Sequence, residues 1–240
     1  MTRKCWFIVA LIFAGAGMVH AAITLADWTF DTSAPYGYGT IISGITAEGG
    51  VNAATSIASG FHSTSTSWTS PQGNCGTAHS LSADHWTVGD YFQFTTSTLG
   101  CDDIVVTFEQ TSSSTGPSAF KLAYSTDGTT FIDITGDSYV VGTTSWTSSG
   151  TLKATILDFD LSSITTVNNQ GAVYFRLIDT SNLAAGGGYV ASGGTSRVDD
   201  FEIGATPVPE PAAWGFISAL GLLGICGVRL WRQRHASSAF

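Results

Sequence analysis

Carboxylate side chains are the residues of this chain most suited to chemistry, and Asp102, Asp103 and Glu109 stand close together in sequence. Two acids about 5–10 Å apart across a cleft would serve as the catalytic pair of a glycoside hydrolase. Each of these acids also has a simpler role, as a turn residue or a solvent-facing residue of a strand. A surface glycan hydrolase is therefore the third function that we consider, and no catalytic residue is assigned.

A second group of acids is separated in sequence, with Asp27 and Asp31 near the start of the central region and Asp199 and Asp200 near its end. Calcium prefers carboxylate and carbonyl oxygens as ligands. These aspartates are candidate ligands of a structural calcium ion where the first and last strands meet. The simpler alternative, in which Asp199 and Asp200 face solvent, is favoured, so we expect neither a metal site nor a cofactor.

Three tryptophans, Trp68, Trp86 and Trp146, lie in stretches rich in serine and threonine. Exposed aromatic rings stack on the C–H faces of sugars, so these side chains are candidates for a glycan-binding surface. The alternative is that they belong to the core, as large aromatic side chains more often do. They make a carbohydrate-binding module the second function that we consider.

Other recognisable chemistry is missing from the sequence. There is no G-x-S-x-G nucleophile elbow and no phosphate-binding P-loop. His62, His79 and His85 lack the paired cysteines of a zinc site, and we expect them to be ordinary loop or strand-edge residues. The sequence therefore does not indicate an enzyme.

The elements that would position any site are strands. Side chains alternate in Gly89–Thr98, with Phe92 and Phe94 on one face and Tyr91, Gln93 and Thr95 on the other. An Asp127-Gly128 turn predicts a hairpin. The predicted strands are Thr24–Asp31, Gly89–Thr98, Asp103–Gln110, Ala119–Thr126, Thr130–Ile134, Leu152–Leu161, Gly171–Asp179 and Thr195–Gly204.

Strands at this spacing predict an all-β, antiparallel β-sandwich over residues 22–206. Within it, residues 33–89 are predicted to be rich in loops, with short strands whose positions the sequence defines poorly. The segments YSTDG (Tyr124–Gly128) and GTSRVDD (Gly194–Asp200) resemble a family of exported bacterial jelly-roll domains. That resemblance implies a galactose-binding-like or concanavalin-like sandwich. Some members of this broad class bind sugars.

Charge is distributed unevenly. The chain of 240 residues has a net charge of −9. Between the basic residues of its two ends lie only Lys121, Lys153, Arg176 and Arg197, together with all the acids except Glu210. An acidic surface of this kind repels nucleic acid, so nucleic acid is excluded as a partner.

The N-terminus has the features of an export signal. Arg3 and Lys4 precede the apolar run Cys5–Val19, and small residues follow, which predicts a cleaved signal peptide over residues 1–21. In an oxidising compartment Cys75 and Cys101 are expected to form a disulfide, with two unpaired buried thiols as the alternative.

The C-terminus combines three features. Val208, Pro209, Glu210 and Pro211 precede an uncharged run over 212–228, and Arg229, Arg232 and Arg234 follow it. The run predicts a short transmembrane helix, and the arginines predict a cytoplasmic end behind it.

This order resembles the PEP-CTERM sorting domain, here over 207–234 with a basic tail over 229–234, although residues 235–240 extend past the point where many such tails end. The resemblance implies recognition by an exosortase in a Gram-negative bacterium. The protein would be anchored in the inner membrane before processing, then released to the cell surface or the extracellular matrix. The predicted function is structural or adhesive, with exopolysaccharide binding as the alternative.

Overall fold

The structure, a computed structural model, describes residues 21–74, 77–134, 138–146 and 155–208. Their regular structure consists of strands and short 3₁₀ turns. The strands are β1 (Ile23–Trp28), β2 (Gly37–Thr46), β3 (Ile57–Thr69), β4 (Leu81–Ala83), β5 (Tyr91–Thr96), β6 (Cys101–Ser112), β7 (Ala119–Ser125), β8 (Ile132–Asp133), β9 (Tyr139–Val140), β10 (Thr155–Asp160), β11 (Val173–Asp179) and β12 (Ser196–Pro207).

Hydrogen bonds join these strands into one sheet, in which the pairings run antiparallel. Its main order is β10-β6-β12-β4-β3-β5-β11-β7-β8, with β1 on β12, β2 on β3 and β9 on β7. The short strand β4 pairs with β12 on one side and β3 on the other. It therefore connects two halves of the sheet.

These two halves pack face to face. β5 pairs with residues 57–61 of β3, whereas β4, which pairs with β12, lies at the other end of β3 beside Trp68 and Thr69. In a flat sheet β5 and β12 would therefore lie far apart. Instead, the ring of Phe94 on β5 stacks on that of Phe201 on β12, with centroids 3.6 Å apart and planes 3° from parallel. Trp28 of β1 packs edge-on against Phe94 at 5.2 Å. The sheet is thus folded into a sandwich, which confirms the predicted all-β antiparallel class.

We call β1, β6, β10 and β12 the first layer, and β2, β3, β5, β7, β8, β9 and β11 the second layer. The core between them is aromatic, because the inward positions of several strands carry large rings. The bulkiest side chains that are almost completely buried are Trp28, Phe30, Trp68, Phe92, Phe94, Phe108, Phe120, Phe175 and Phe201.

Buried and partly exposed side chains alternate along β5, which confirms its two predicted faces. Phe92 and Phe94 are fully buried, whereas Tyr91, Gln93 and Thr95 are partly exposed on the other side. The predicted hairpin is also present, although β8 has two residues instead of the expected five. Asp127 Oδ1 accepts hydrogen bonds from the amides of Thr129 and Thr130 at 2.8 and 2.7 Å, and Gly128 has a φ of +73°.

The expectation for residues 33–89 was incomplete. This segment contains β2, the long strand β3 of 13 residues, and β4. Serine and threonine alternate in β3 and hide its period, but its inward positions Ala58, His62, Thr66 and Trp68 are buried. A long polar strand is stable here because β2 and β5 pair with both of its edges.

Both predicted termini lie largely outside the described residues, including the signal peptide up to residue 20 and the apolar run over 212–228. Within the ranges that the structure describes, no helix is long and apolar enough to cross a membrane. Cys101 is buried, and Cys75 lies outside the described residues, so their pairing stays a prediction.

Replacing Phe201 with alanine should lower the free energy of unfolding by about 3–5 kcal/mol, because it opens a cavity between the two layers. Urea denaturation followed by tryptophan fluorescence measures this loss. The exposed Leu99→Ala variant is the control, and its stability should change by less than about 0.5 kcal/mol. Equal stability of the two variants would contradict the proposed role of the ring stack.

Candidate functional site

The outer face of the second layer carries the candidate site, and we call it the platform. Strand register brings its side chains into three rows that cross β2, β3, β5, β11, β7 and β8. The rows are Ile41, Phe61, Tyr91, Ile178 and Lys121; Ser59, Gln93, Arg176, Ala123 and Asp133; and Ile57, Thr95, Tyr174 and Ser125.

Aromatic rings form the centre of the platform. Phe61 and Tyr91 are opposite each other on β3 and β5, and their rings stack with centroids 5.5 Å apart and planes at 27°. Both side chains are partly exposed. Beside them on β2, Ile41 is 63% exposed. An apolar strip therefore crosses three strands at the surface of the domain.

A cation extends this aromatic strip. The guanidinium carbon of Arg176 lies 3.8 Å from the centroid of the Tyr91 ring and 3.6 Å from that of Phe131. Its Nε donates a 2.8 Å hydrogen bond to Oε1 of Gln93, the neighbouring residue on β5. Burial lowers the pKa of the Arg176 guanidinium, but arginine keeps its proton at any physiological pH.

The far side of the platform adds a charged pair and a further aromatic ring. Lys121 forms an ion pair with Asp133 at 2.9 Å on adjacent strands β7 and β8. The ring of Tyr174 packs over the hairpin turn, where a Cβ added to Gly128 would come within 3.1 Å of it. The turn thus supports one edge of the platform, and apolar rings alternate with hydrogen-bonding groups across the face.

The tryptophans considered as glycan-binding candidates are not on this face, and the alternative, that they belong to the core, is confirmed. Trp68, Trp86 and Trp146 are only 1, 4 and 6% exposed. Trp68 and Trp86 face the core, where both rings pack on His62 at 4.9 and 4.3 Å and on Phe92. Ser67 and Thr69, the polar neighbours of Trp68, occupy the opposite face of β3, so local composition was misleading.

His62 also differs from expectation, since it is a core residue and not a strand-edge histidine. It is fully buried, with Nδ1 3.5 Å from Oδ2 of the equally buried Asp90. Burial lowers the pKa of His62 to about 4. The imidazole is therefore neutral near pH 7 and acts as a packing group between two indole rings.

Acidic residues gather on the outer face of the first layer, which we call the acidic face. Asp27 and Glu202 are opposite each other on β1 and β12. Burial, and then repulsion from Glu202, Glu48 and Asp31, raises the pKa of Asp27 to about 6. Burial and the neighbouring carboxylates of Glu109 and Asp27 raise that of Asp200 to about 7.

Asp199 is the most strongly perturbed of these acids. It is completely buried beneath the loop before β4, and its Oδ2 accepts hydrogen bonds from the amide of Asn74 and the hydroxyl of Thr77, both at 2.8 Å. A Cβ at Gly73 would collide with this oxygen. Oδ1 accepts no hydrogen bond from the described side chains and amides. Burial, followed by repulsion from Asp200, raises the pKa of Asp199 to about 8.

The aspartates considered as calcium ligands come near one another on the acidic face, where Asp27 and Asp31 repel Asp200. In the described part of the chain, no three His, Cys, Asp or Glu side chains are grouped so that they could hold a metal ion. The expectation that Asp199 faces solvent was wrong, because its side chain is buried. A β-bulge between Asp199 and Glu202, with Asp200 at a φ of +46°, turns these side chains away from the regular pattern.

The acids considered as a hydrolase pair are also apart. Asp102 and Asp103 lie at the start of β6, whereas Glu109 lies near its end, about 20 Å farther along the strand. Glu109 accepts a hydrogen bond from the side-chain amide of Asn74 and is nearly buried. This spacing exceeds the roughly 5–10 Å that a glycosidase pair requires.

Most of the predicted sorting residues lie outside the described residues. Val208 is described and is 44% exposed just after β12. Pro209, Glu210 and Pro211, and the arginines at 229, 232 and 234, are not described.

Comparison with family models gives no match to this chain. A search of curated proteins gives none either. Solved structures with a similar arrangement include the CBM22-1 and GH10 modules of a Clostridium thermocellum endo-1,4-β-D-xylanase, at 11% identity and a TM-score of 0.41, covering 78% of this chain and 29% of that one. This chain thus spans under a third of the xylanase structure.

Two other similar structures are matched over nearly their whole length. A family 35 carbohydrate-binding module from Clostridium thermocellum has 11% identity and a TM-score of 0.33, with 76% of this chain and 97% of that one covered. The K3 adhesin domain of Lys-gingipain from Porphyromonas gingivalis has 12% identity and a TM-score of 0.40, with 75% and 98% covered.

The raised pKa of Asp199 predicts a pH-dependent stability. The folded state holds this proton more tightly than the unfolded chain, so the contribution is complete below about pH 4 and is lost as pH rises through about 8. Asp199→Asn cannot ionise. Its stability relative to the wild type should therefore increase by at least about 1 kcal/mol between pH 5 and pH 9.

Urea denaturation at several pH values measures this difference. Asp158→Asn, at an exposed position on β10, is the matched control and should show no such trend. A wild-type protein and an Asp199→Asn variant with parallel pH profiles would contradict a protonated Asp199 in the fold.

Proposed function

We propose that the protein binds carbohydrate through the platform. The observation that carries the proposal is the partly exposed Phe61–Tyr91 ring pair, continued by Arg176 and Phe131 across neighbouring strands. A pyranose has an apolar C–H face and a polar rim. A surface that offers flat rings beside hydrogen-bonding groups is complementary to both.

The polar groups of the platform stand where the rim of a stacked sugar would lie. Gln93 is next to Tyr91 on the same strand face, and Ser59 is next to Phe61. Lys121 and Asp133 add a donor and an acceptor at the far edge.

A binding function is favoured over hydrolysis. Among the described residues the acid in the platform rows is Asp133, and it is paired with Lys121. A glycosidase needs a second acid across the bound sugar. The protein therefore acts as a binding module in this proposal, with a jelly-roll arrangement of its strands.

The predicted export and sorting are part of the same proposal. Val208-Pro209-Glu210-Pro211, the apolar run and the three arginines would deliver the domain to an exosortase and then to the cell surface or matrix. A glycan-binding domain delivered there would bind exopolysaccharide. The structural or adhesive role that the sequence predicts would then result from the platform.

Replacing Tyr91 with alanine removes one half of the ring pair and should weaken polysaccharide binding by at least about tenfold, or about 1.4 kcal/mol. Affinity electrophoresis against a panel of soluble polysaccharides measures this change. Tyr189→Ala is the matched control, because Tyr189 is an aromatic residue that is 81% exposed in the loop after β11, outside the platform.

Phe61→Ala should give a loss similar to that of Tyr91→Ala. Both variants should retain the wild-type melting temperature to within a few degrees, since these side chains are at the surface. Equal weakening by Tyr189→Ala, or wild-type binding by both platform variants, would refute the platform as the binding site.

The sorting proposal has its own test in the native host. Replacing Glu210, or all three of Arg229, Arg232 and Arg234, should leave the protein retained or misprocessed in the membrane fraction. Immunoblots of membrane and culture fractions detect this retention. The Tyr189→Ala variant is the control, and normal release of the sorting variants would be evidence against exosortase recognition.

A further inference from the structure

The basic side chains of the described residues differ in what neutralises them. Lys121 pairs with Asp133 at 2.9 Å. Arg197 is largely enclosed, donates from Nη1 to the carbonyl of Gln72 at 3.0 Å, and has its guanidinium carbon 5.7 Å from the Trp146 ring centroid. Arg176 has no carboxylate partner in the described part of the chain, although the protein is strongly acidic overall.

The surroundings of Arg176 hold its guanidinium in one orientation. Tyr91 and Phe131 lie at 3.8 and 3.6 Å from its central carbon, and Gln93 accepts from Nε. Two flat rings and one hydrogen bond thus fix the plane of the group. Its two terminal nitrogens donate to no side chain or carbonyl in the described residues.

A guanidinium held in this way is a ready receptor for a planar anion. Its free N–H groups form a fork that matches the two oxygens of a carboxylate, and aromatic stacking reduces the entropy lost when both bonds form. Because the rings also exclude part of the solvent, each charge-assisted bond is stronger than at a fully exposed side chain.

We infer that the platform selects polysaccharides whose sugars carry a carboxylate, with Arg176 binding that carboxylate while a neighbouring sugar stacks on Phe61 and Tyr91. This inference rests on the proposed carbohydrate-binding function and names its ligand class. Arg176 is then the residue that determines specificity, whereas the Phe61–Tyr91 pair contributes affinity for either neutral or acidic chains.

The negative charge of the protein does not prevent this selection, because it is concentrated elsewhere. Asp27, Asp31, Glu48, Asp200 and Glu202 interact with one another on the acidic face, on the other side of the sandwich. Two packed layers separate them from the platform by at least about 10 Å.

The experiment compares each acidic polymer with its own neutral ester. Galacturonan and alginate carry carboxylates on differently configured rings, and esterification removes the charge while keeping the sugar backbone. Binding of the purified full-length protein to both polymers and their esters is measured by affinity electrophoresis. Dextran sulfate and neutral xylan complete the panel as a non-carboxylate polyanion and an uncharged chain.

We expect the wild-type protein to bind at least one acidic polymer tenfold or more tightly than its ester. Arg176→Gln should reduce that ratio to near one. Tyr189→Ala, whose side chain lies outside the platform, is the control and should retain the ratio. Arg176→Lys keeps the charge without the fork and should lower the ratio by several-fold.

Three results would overturn the inference while leaving the proposed function intact. The first is equal wild-type binding to both acids and their esters, which needs no variant to fold. The second is tighter binding of dextran sulfate than of either carboxylate polymer. The third is an unchanged ratio in Arg176→Gln with a wild-type melting temperature. Absence of binding to every polysaccharide would instead refute the proposed function itself.

Discussion

The stacked rings of Phe94 and Phe201 are the contact on which the rest of the structure depends. They join β5 of the second layer to β12 of the first at 3.6 Å, although the two strands are not neighbours in the sheet. Trp28 and Phe108 pack around them. A sheet that folds back on itself must bury one face of every central strand, and these rings fill that space.

The platform is a consequence of this burial. Because side chains alternate along a strand, fixing Phe92 and Phe94 in the core forces Tyr91 and Gln93 to the outside of β5. The same constraint on β11 buries Phe175 and Leu177 and leaves Tyr174 and Arg176 outside. The proposed binding residues are thus held in position by the buried core residues next to them on the same strands. Cross-strand register then decides which of them meet, and it brings Arg176 between Tyr91 and Phe131.

The two outer faces of the sandwich differ in charge, with clustered acids on one and an arginine on the other. Acids collect beside β1 and β12, where burial and mutual repulsion raise the pKa values of Asp27, Asp199 and Asp200. This arrangement costs stability as pH rises, and the loop over Asp199 offsets part of the cost with two hydrogen bonds. The opposite face keeps one arginine without a carboxylate partner among the described residues. An acidic protein can therefore present a cationic group to an anionic ligand.

The sequence by itself determined the sandwich class, the faces of β5 and the Asp127-Gly128 hairpin, because alternation and turn chemistry are local properties. It also predicted the export and sorting signals, because these are defined by the order of residue types along the chain. Only the tertiary structure decided which aromatic side chains reach the surface. Trp68 and Trp86 became core residues and Phe61 and Tyr91 became platform residues, since burial depends on what packs against each face of a strand. The meeting of Tyr91, Phe131 and Arg176 likewise required the register of non-consecutive strands, which no local pattern encodes.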